Sequence, residues 1–451
     1  MKVNENIIAV CGPVDAGKSS LIGVLTTGEL DDGKGGARNK VLVHHHERET
    51  GRTSNITLNP IIYQEEEGLY LNCVPNSVKK MRVPKKKLFE KGEYINKLGY
   101  DKKIISFMDL AGHEKYLKTT VYGVTGLFPD YGLLIVGANT GITRLTKEHL
   151  GILLYLKIPI IIIITKIDMA PAHIYKNLKN RLKKLIEKTS FNKVIYYINS
   201  TNCDKETDFY INNFNGNPDI IPIVSVSNKE GINIMNLHKI LFNLPNHKKW
   251  KDNSTNGTIV YLDNNYMVPG VGMVLSGTVK GNNICVKQKM YLGPFNGRFK
   301  QVVIRSIHNS VRENVSTIEE KKLGCFNIKF VNSKEAVGRN MIKKGMVMID
   351  DIEKWQPNIS NKFLAKVSIL HHATTIKDGY TPVIHCGPIR QAAKIKIIKQ
   401  KNNKTKVRTG DNCIAEFTFN QHSEFIEKDM ILFFRDGNTK GVGEVIKVIK
   451  E

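Results

Sequence analysis

A chain of 451 residues, 41% hydrophobic and 24% charged, is long enough for two or three domains and has the apolar content of a globular core. Its most apolar stretch, IPIIIIIT at 158–165, is of strand length and too short to span a bilayer, and the start MKVNENIIAV has no pattern of a secretory leader, so neither is expected. Seven dispersed cysteines without a CxxC pair argue against a disulfide framework and for a cytoplasmic location, while 67 basic less 42 acidic residues leave +25, which favours a polyanionic partner such as RNA.

In chain order, NIIAVCG (6–12) reads as a short buried strand, and KSSLIGVLTTGEL (18–30) as a helix whose apolar residues are Leu21, Ile22, Val24 and Leu25. KIISFMDLAG (103–112), YGLLIVGANTG (131–141), IPIIIIITKID (158–168) and IIPIVSVSNKEG (220–231) repeat the pattern of a buried strand ending in a turn. Helical segments such as 146–158 and 175–190 lie between them. Continuous apolar strands alternating with helices predict an α/β fold with a doubly wound, mostly parallel sheet, whose functional loops follow the carboxyl ends of strands. A polar Asn/Lys/Pro stretch at 243–257 ends this pattern, and short strands with Gly-rich turns follow. We therefore expect an α/β domain over 1–250 and two β-barrel domains over 251–353 and 354–451. The Lys-rich run at 75–103 stands out as an insertion, expected to be a solvated hairpin or loop, with an RNA-backbone contact as the alternative.

The loop GPVDAGKSS (12–20) has the Gly-x4-Gly-Lys-Ser spacing of a phosphate cradle. Its backbone would surround phosphates from Gly12, Pro13, Val14, Asp15, Ala16 and Gly17 through Ser20, with every residue but Pro13 able to offer an N–H. Lys18 would reach the β and γ phosphates, and the Ser19 hydroxyl would ligate Mg²⁺. At the end of a later strand, DLAGH supplies Asp109, a carboxylate suited to holding Mg²⁺ through water, then Leu110 and Ala111. Gly112 allows a backbone N–H to approach a γ-phosphate, and His113 is the candidate to orient the attacking water. TKID supplies Thr165, Lys166, Ile167 and Asp168. A carboxylate at Asp168 pairs with the N1–H and exocyclic amine of guanine, a donor pair that adenine lacks, so the expected base is guanine.

These motifs, in this order, resemble the translation-factor class of GTPases, that of elongation factor Tu and elongation factor 1-alpha. ERETGRT (47–53) resembles the first switch of that class, which implies that Thr53 contacts Mg²⁺ and the γ-phosphate. VSNKEGIN (226–233) resembles the last guanine-contacting loop and implicates Ser227 and the backbone of Asn228. VPGVGMVLSGT (268–278) resembles the opening of the second domain. A closer resemblance, over essentially the whole chain, is to the GTP-binding protein 1 and 2 family. It rests on LTTGELDDGKGGAR, HERETGRTS, DLAGHEKYLKTTVYGVTG, ITKIDMAPA, LHHATTI, VIHCGPIRQAA and FRDGNTKGVGEV. Thr165 stands where Asn is usual, a departure the closer family shares, and Pro13 stands where elongation factors carry His. The resemblance implies that Asp15 helps to bind a monovalent cation near the phosphates.

The resemblance implies a three-domain GTPase with Mg²⁺ as cofactor, acting with the ribosome and aminoacyl-tRNA or another RNA, without a membrane and as a monomer. The alternative is a GTP-gated RNA- or protein-binding switch with little intrinsic turnover. A GTPase subunit of a sulfate-adenylating complex shares the architecture, but the third-domain motifs speak against it. His44, His45 and His46 invite a metal reading, which their adjacency disfavours because neighbouring side chains point apart. His371 and His372 are expected to serve the fold or to face tRNA.

Overall fold

The computed structural model describes the chain except residues 1, 43–46, 48–52, 54–55, 74–84, 190, 199–202, 248–256, 333–336, 401–405, 437–438 and 451. The chain divides into two compact units, one of residues 1–124 and 129–249, the other of residues 125–128 and 250–451.

The first unit is built on a nine-stranded sheet: β1 (Val3–Cys11), β2 (Thr57–Glu65), β3 (Gly68–Cys73), β4 (Lys86–Glu90), β5 (Lys102–Asp109), β6 (Tyr131–Gly137), β7 (Ile160–Thr165), β8 (Val194–Ile198) and β9 (Ile220–Ser225). The spatial order is β4-β3-β2-β5-β1-β6-β7-β9-β8. From β5 to β8 all pairs are parallel, while β2, β3 and β4 form an antiparallel extension of one edge. The parallel strands are covered on both faces, which is why β1, β6 and β7 read as nearly unbroken apolar runs. The strand order reverses at β1, so the loop after β1 opens at a topological switch point.

Helix α1 (Lys18–Thr27) starts after Gly17 and stops at Gly28, whose left-handed φ of 68° lets its N–H bond back to the Val24 carbonyl. A second, one-turn helix, α2 (Gly36–Asn39), lies against it. The Lys-rich run contributes an ordered element: β4 pairs with β3, Lys85 just before it pairs with Glu66, and Lys87 within it pairs with Glu90.

In the second unit, strands Ile259–Val268, Gly272–Lys280, Lys289–Phe295, Arg298–His308, Leu323–Phe330 and Val347–Ile349 form one antiparallel barrel. It closes because Lys289–Phe295 pairs on both sides. Strands Lys362–His371, Val383–Cys386, Ile389–Gln400, Asn412–Phe419, Ile431–Asp436 and Thr439–Ile449 form a second closed barrel. Alternation sets the inward face: Phe363, Ala365, Val367 and Ile369 are buried on one strand, Cys413, Ala415, Phe417 and Phe419 on its neighbour. Phe363 and Phe417 stack at 5.1 Å in that core. The two barrels are tied by a polar cluster in which Lys280 pairs with Glu427 at 2.9 Å and the Tyr261 hydroxyl donates to the same carboxylate.

Candidate nucleotide site

The loop after β1 takes a conformation that its glycines make accessible. Gly12 has φ 149°, and a β-carbon there would lie 2.5 Å from the Ile135 carbonyl oxygen. Gly17, at φ 85°, leads directly into α1. Lys18, 7% exposed, folds back so that Nζ donates to the Pro13 carbonyl at 2.9 Å. Burial pulls the Lys18 ammonium below the usual lysine range, and the Asp109 carboxylate opposes that pull.

Three oxygen-bearing side chains converge beside Lys18. The Ser19 hydroxyl donates to Asp109 Oδ2 at 2.7 Å, the Thr53 hydroxyl donates to the same oxygen at 2.9 Å, and the two hydroxyls are 3.1 Å apart. Asp109 is 1% exposed, and its other oxygen, Oδ1, is buried with no hydrogen-bond partner among the described residues. Burial raises the carboxyl above the usual aspartate range; Lys18 and both hydroxyls lower it. One carboxylate and two hydroxyls are hard oxygen donors, and the orphaned Oδ1 leaves acceptor capacity, so the set fits Mg²⁺ held jointly with substrate phosphates. Among the described residues no group of three His, Cys, Asp or Glu side chains gathers as a metal site of another kind.

Gly112 lies against the same loop: a β-carbon there would be 2.4 Å from Lys18 Nζ and 2.8 Å from the Gly12 carbonyl oxygen. His113 follows at the rim with its side chain exposed. Its Nδ1 accepts the Lys115 N–H at 3.1 Å, capping the short turn Glu114–Tyr116, and its ring sits edge-on to Tyr116 at 6.2 Å.

On the far side of the loop, β7 ends at Thr165, which is fully buried and donates its hydroxyl to the Ala16 carbonyl at 2.6 Å. Lys166 turns the chain at φ 59° into the turn Ile167–Met169. Asp168 Oδ1 accepts the Ser227 hydroxyl at 2.7 Å, and Ser227 Oγ accepts the Glu230 N–H, so the two segments expected at the base are joined.

One pocket is lined by Val14, Asp15, Gly17, Lys18, Ser19, Ser20, Thr53, Gly112, His113 and Lys166 from the sequence expectation. It is also lined by Asp31, Gly33, Lys34, Gly35 and Arg38, which that reading did not single out as site residues. The signal was the glycine-spaced DDGKGGAR, but no phosphate-loop spacing marks it. Gly12, Pro13, Ala16, Asp109, Leu110, Ala111, Thr165, Ile167, Asp168, Ser227 and Asn228 are outside the lining; Leu110 and Ala111 are buried. Asn228 is 8% exposed, and its carbonyl accepts the Asp31 N–H at 2.9 Å.

Residues 44–46 and 79–82 lie outside the described residues. His372 Nδ1 accepts the Thr374 N–H at 3.0 Å, its N–H donates to Thr409, and its ring packs on Tyr380, which is a turn-holding role. His371 is exposed at a strand end.

Residues 4–247 match the family model described as the elongation factor Tu GTP binding domain. The chain is 38% identical over 444 residues to GTP-binding protein 1 of Xenopus laevis, covering 98% of this chain and 63% of that protein. It is 33% identical over 446 residues to GTP-binding protein 2 of Homo sapiens, covering 98% and 69%. It thus spans less than two thirds of the Xenopus relative's length. The crystal structure of bacterial selenocysteine-specific elongation factor EF-Sec superposes with a TM-score of 0.66 at 19% identity, over 99% of this chain and 58% of that one, a likeness of fold. Among the described residues no helix is long and apolar enough to cross a membrane.

Proposed function

Because the chain belongs to the GTP-binding protein 1 and 2 family and carries the GTP-binding domain of the elongation factor Tu class, we propose that it hydrolyses GTP to GDP and phosphate as a switch acting with the ribosome and an aminoacyl-tRNA-like ligand. The observation that carries this reading is the bond network joining Thr53 to Ser19 and Asp109 beside Lys18. A residue 34 positions from the phosphate loop is thereby tied to it, as a switch segment responding to a γ-phosphate must be.

In the proposed mechanism Lys18 neutralises charge on the β and γ phosphates, and the Gly112 N–H meets the γ-phosphate. Ser19 and Thr53 would hold Mg²⁺, supported by the Asp109 carboxylate that both hydroxyls meet, and the ion would supply charge neutralisation on the phosphates. Asp168 receives the two guanine donors, with Ser227 orienting its carboxylate, while the Lys166 stem covers the base. His113 positions the attacking water once its ring is pressed inward. Loss of the γ-phosphate frees Thr53 and Gly112, and the switch relaxes.

The exposed His113, with Nδ1 engaged in a cap, favours a slow intrinsic rate and gives weight to the second reading, a GTP-gated binding protein. Both readings share the switch. It is tested by sedimenting the protein with ribosomes in a non-hydrolysable GTP analogue or in GDP. Retention with the analogue and release with GDP is expected; equal binding in both states would contradict the switch.

A further inference from the structure

Helix α2 is a single turn whose position is over-determined. Asp32 Oδ1 accepts the N–H groups of Lys34 and Gly36 at 2.8 Å, and Asp31 Oδ1 accepts the Ala37 N–H at 2.9 Å. Ala37, 3% exposed, lies directly on Gly23 of α1, where a β-carbon would come within 2.2 Å of the Ala37 carbonyl oxygen. The turn is therefore seated on α1 through backbone contact that no longer side chain at Gly23 would allow.

That seat places Arg38 on the wall of the nucleotide pocket with Ser19 and Thr53. Gly35, at φ 95°, gives it room: a β-carbon there would lie 2.5 Å from Arg38 Nε and 2.9 Å from Cζ. The guanidinium thus runs along bare backbone. Its Nε is buried without a hydrogen-bond partner among the described residues. Lys40, two residues on, is instead paired with Glu29. The pocket carries four cations, Lys18, Lys34, Arg38 and Lys166, against the carboxylates Asp15 and Asp31, and Asp31 already accepts the Ala37 N–H. A buried guanidinium N–H without an acceptor, in a pocket with excess positive charge, is a donor for an anionic ligand.

We propose that Arg38 is a phosphate-binding residue of this site, a guanidinium supplied in cis by the turn after α1 that grips the polyphosphate chain of the bound nucleotide. The inference rests on the GTP-binding reading above and adds a residue that its motifs do not contain. Lys34, exposed on the same turn, contributes only a diffuse charge.

The test uses the full chain and fluorescently labelled GTP and GDP. Arg38→Gln is expected to weaken both by about tenfold or more while the melting temperature of the nucleotide-free protein stays at the wild-type value; Arg38→Lys recovers part of the affinity by keeping the charge without the fork. Affinity within about twofold of wild type for Arg38→Gln overturns the proposal. So does a loss of affinity accompanied by a lowered melting temperature that Arg38→Lys does not relieve, which marks a packing role. Lys18→Ala separates the two levels: if it also binds both nucleotides like wild type, the nucleotide reading of the pocket fails, and if it alone loses binding, only the Arg38 inference fails.

Discussion

Thr165 stands where this class of GTPase usually carries Asn, and the structure shows what the substitution preserves. Its hydroxyl, fully buried, donates at 2.6 Å to the carbonyl of Ala16, itself fully buried in the middle of the phosphate loop. Thr165→Val keeps the side-chain shape and suits β7, but removes the donor. A buried acceptor left without its partner costs about 1–3 kcal/mol. The bond braces the loop proposed to cradle the phosphates, so binding weakens by the part of that cost carried in the nucleotide-bound form. Affinity for GDP should fall by about 5- to 150-fold, mainly through faster release. Equilibrium titration and stopped-flow displacement of fluorescent GDP measure both quantities, with Thr165→Ser, which retains the hydroxyl, as the control. A Val variant that binds and releases GDP within about twofold of wild type would refute the bracing argument.

Gly112→Ala would place a β-carbon 2.8 Å from both the Gly12 carbonyl oxygen and the Pro13 carbonyl carbon, so the backbone must part just where the γ-phosphate is expected. GTP affinity should drop by about tenfold more than GDP affinity, and equal losses would contradict the placement. His238 is 1% exposed, with Nδ1 2.8 Å from the Tyr63 hydroxyl; burial, aided by nearby Lys86, pushes its pKa from 6.5 down to about 3. The imidazole is neutral in the fold and titrates normally when unfolded. Its share of stability is therefore whole above pH 6.5 and is lost as pH falls toward 3, with about 2 kcal/mol gone near pH 5. His238→Gln should lose less stability than wild type between about pH 7 and pH 5 in denaturant titrations, and parallel losses would show that the ring is not held neutral.

GPVDAGKSS, DLAGH and TKID were legible as candidate motifs because phosphate and guanine recognition would require particular residues at fixed spacing, and unbroken apolar strands place each segment at a strand end. The barrels were legible from alternation and Gly-rich turns. What was not legible depends on contacts distant in sequence. The wall formed by Lys34 and Arg38 exists because Ala37 seats on Gly23, and nothing local in DDGKGGAR announces that packing. β4 emerges from a Lys-rich run because β3 offers it an edge and Glu66 and Glu90 neutralise its charges. The Lys280–Glu427 pair joins residues 147 positions apart, and neither side chain sits in a recognisable motif. His113 was legible as a candidate water-orienting residue, but not its engagement as a cap at the rim, which depends on the turn it precedes.

The most direct test of the proposed GTPase mechanism is GTP turnover by the purified protein with and without eukaryotic ribosomes, beside His113→Ala. A slow intrinsic rate, a large stimulation by ribosomes, and loss of that stimulation in the variant are expected. Tight GTP binding with no stimulation, or stimulation that persists without the His113 imidazole, would contradict that mechanism.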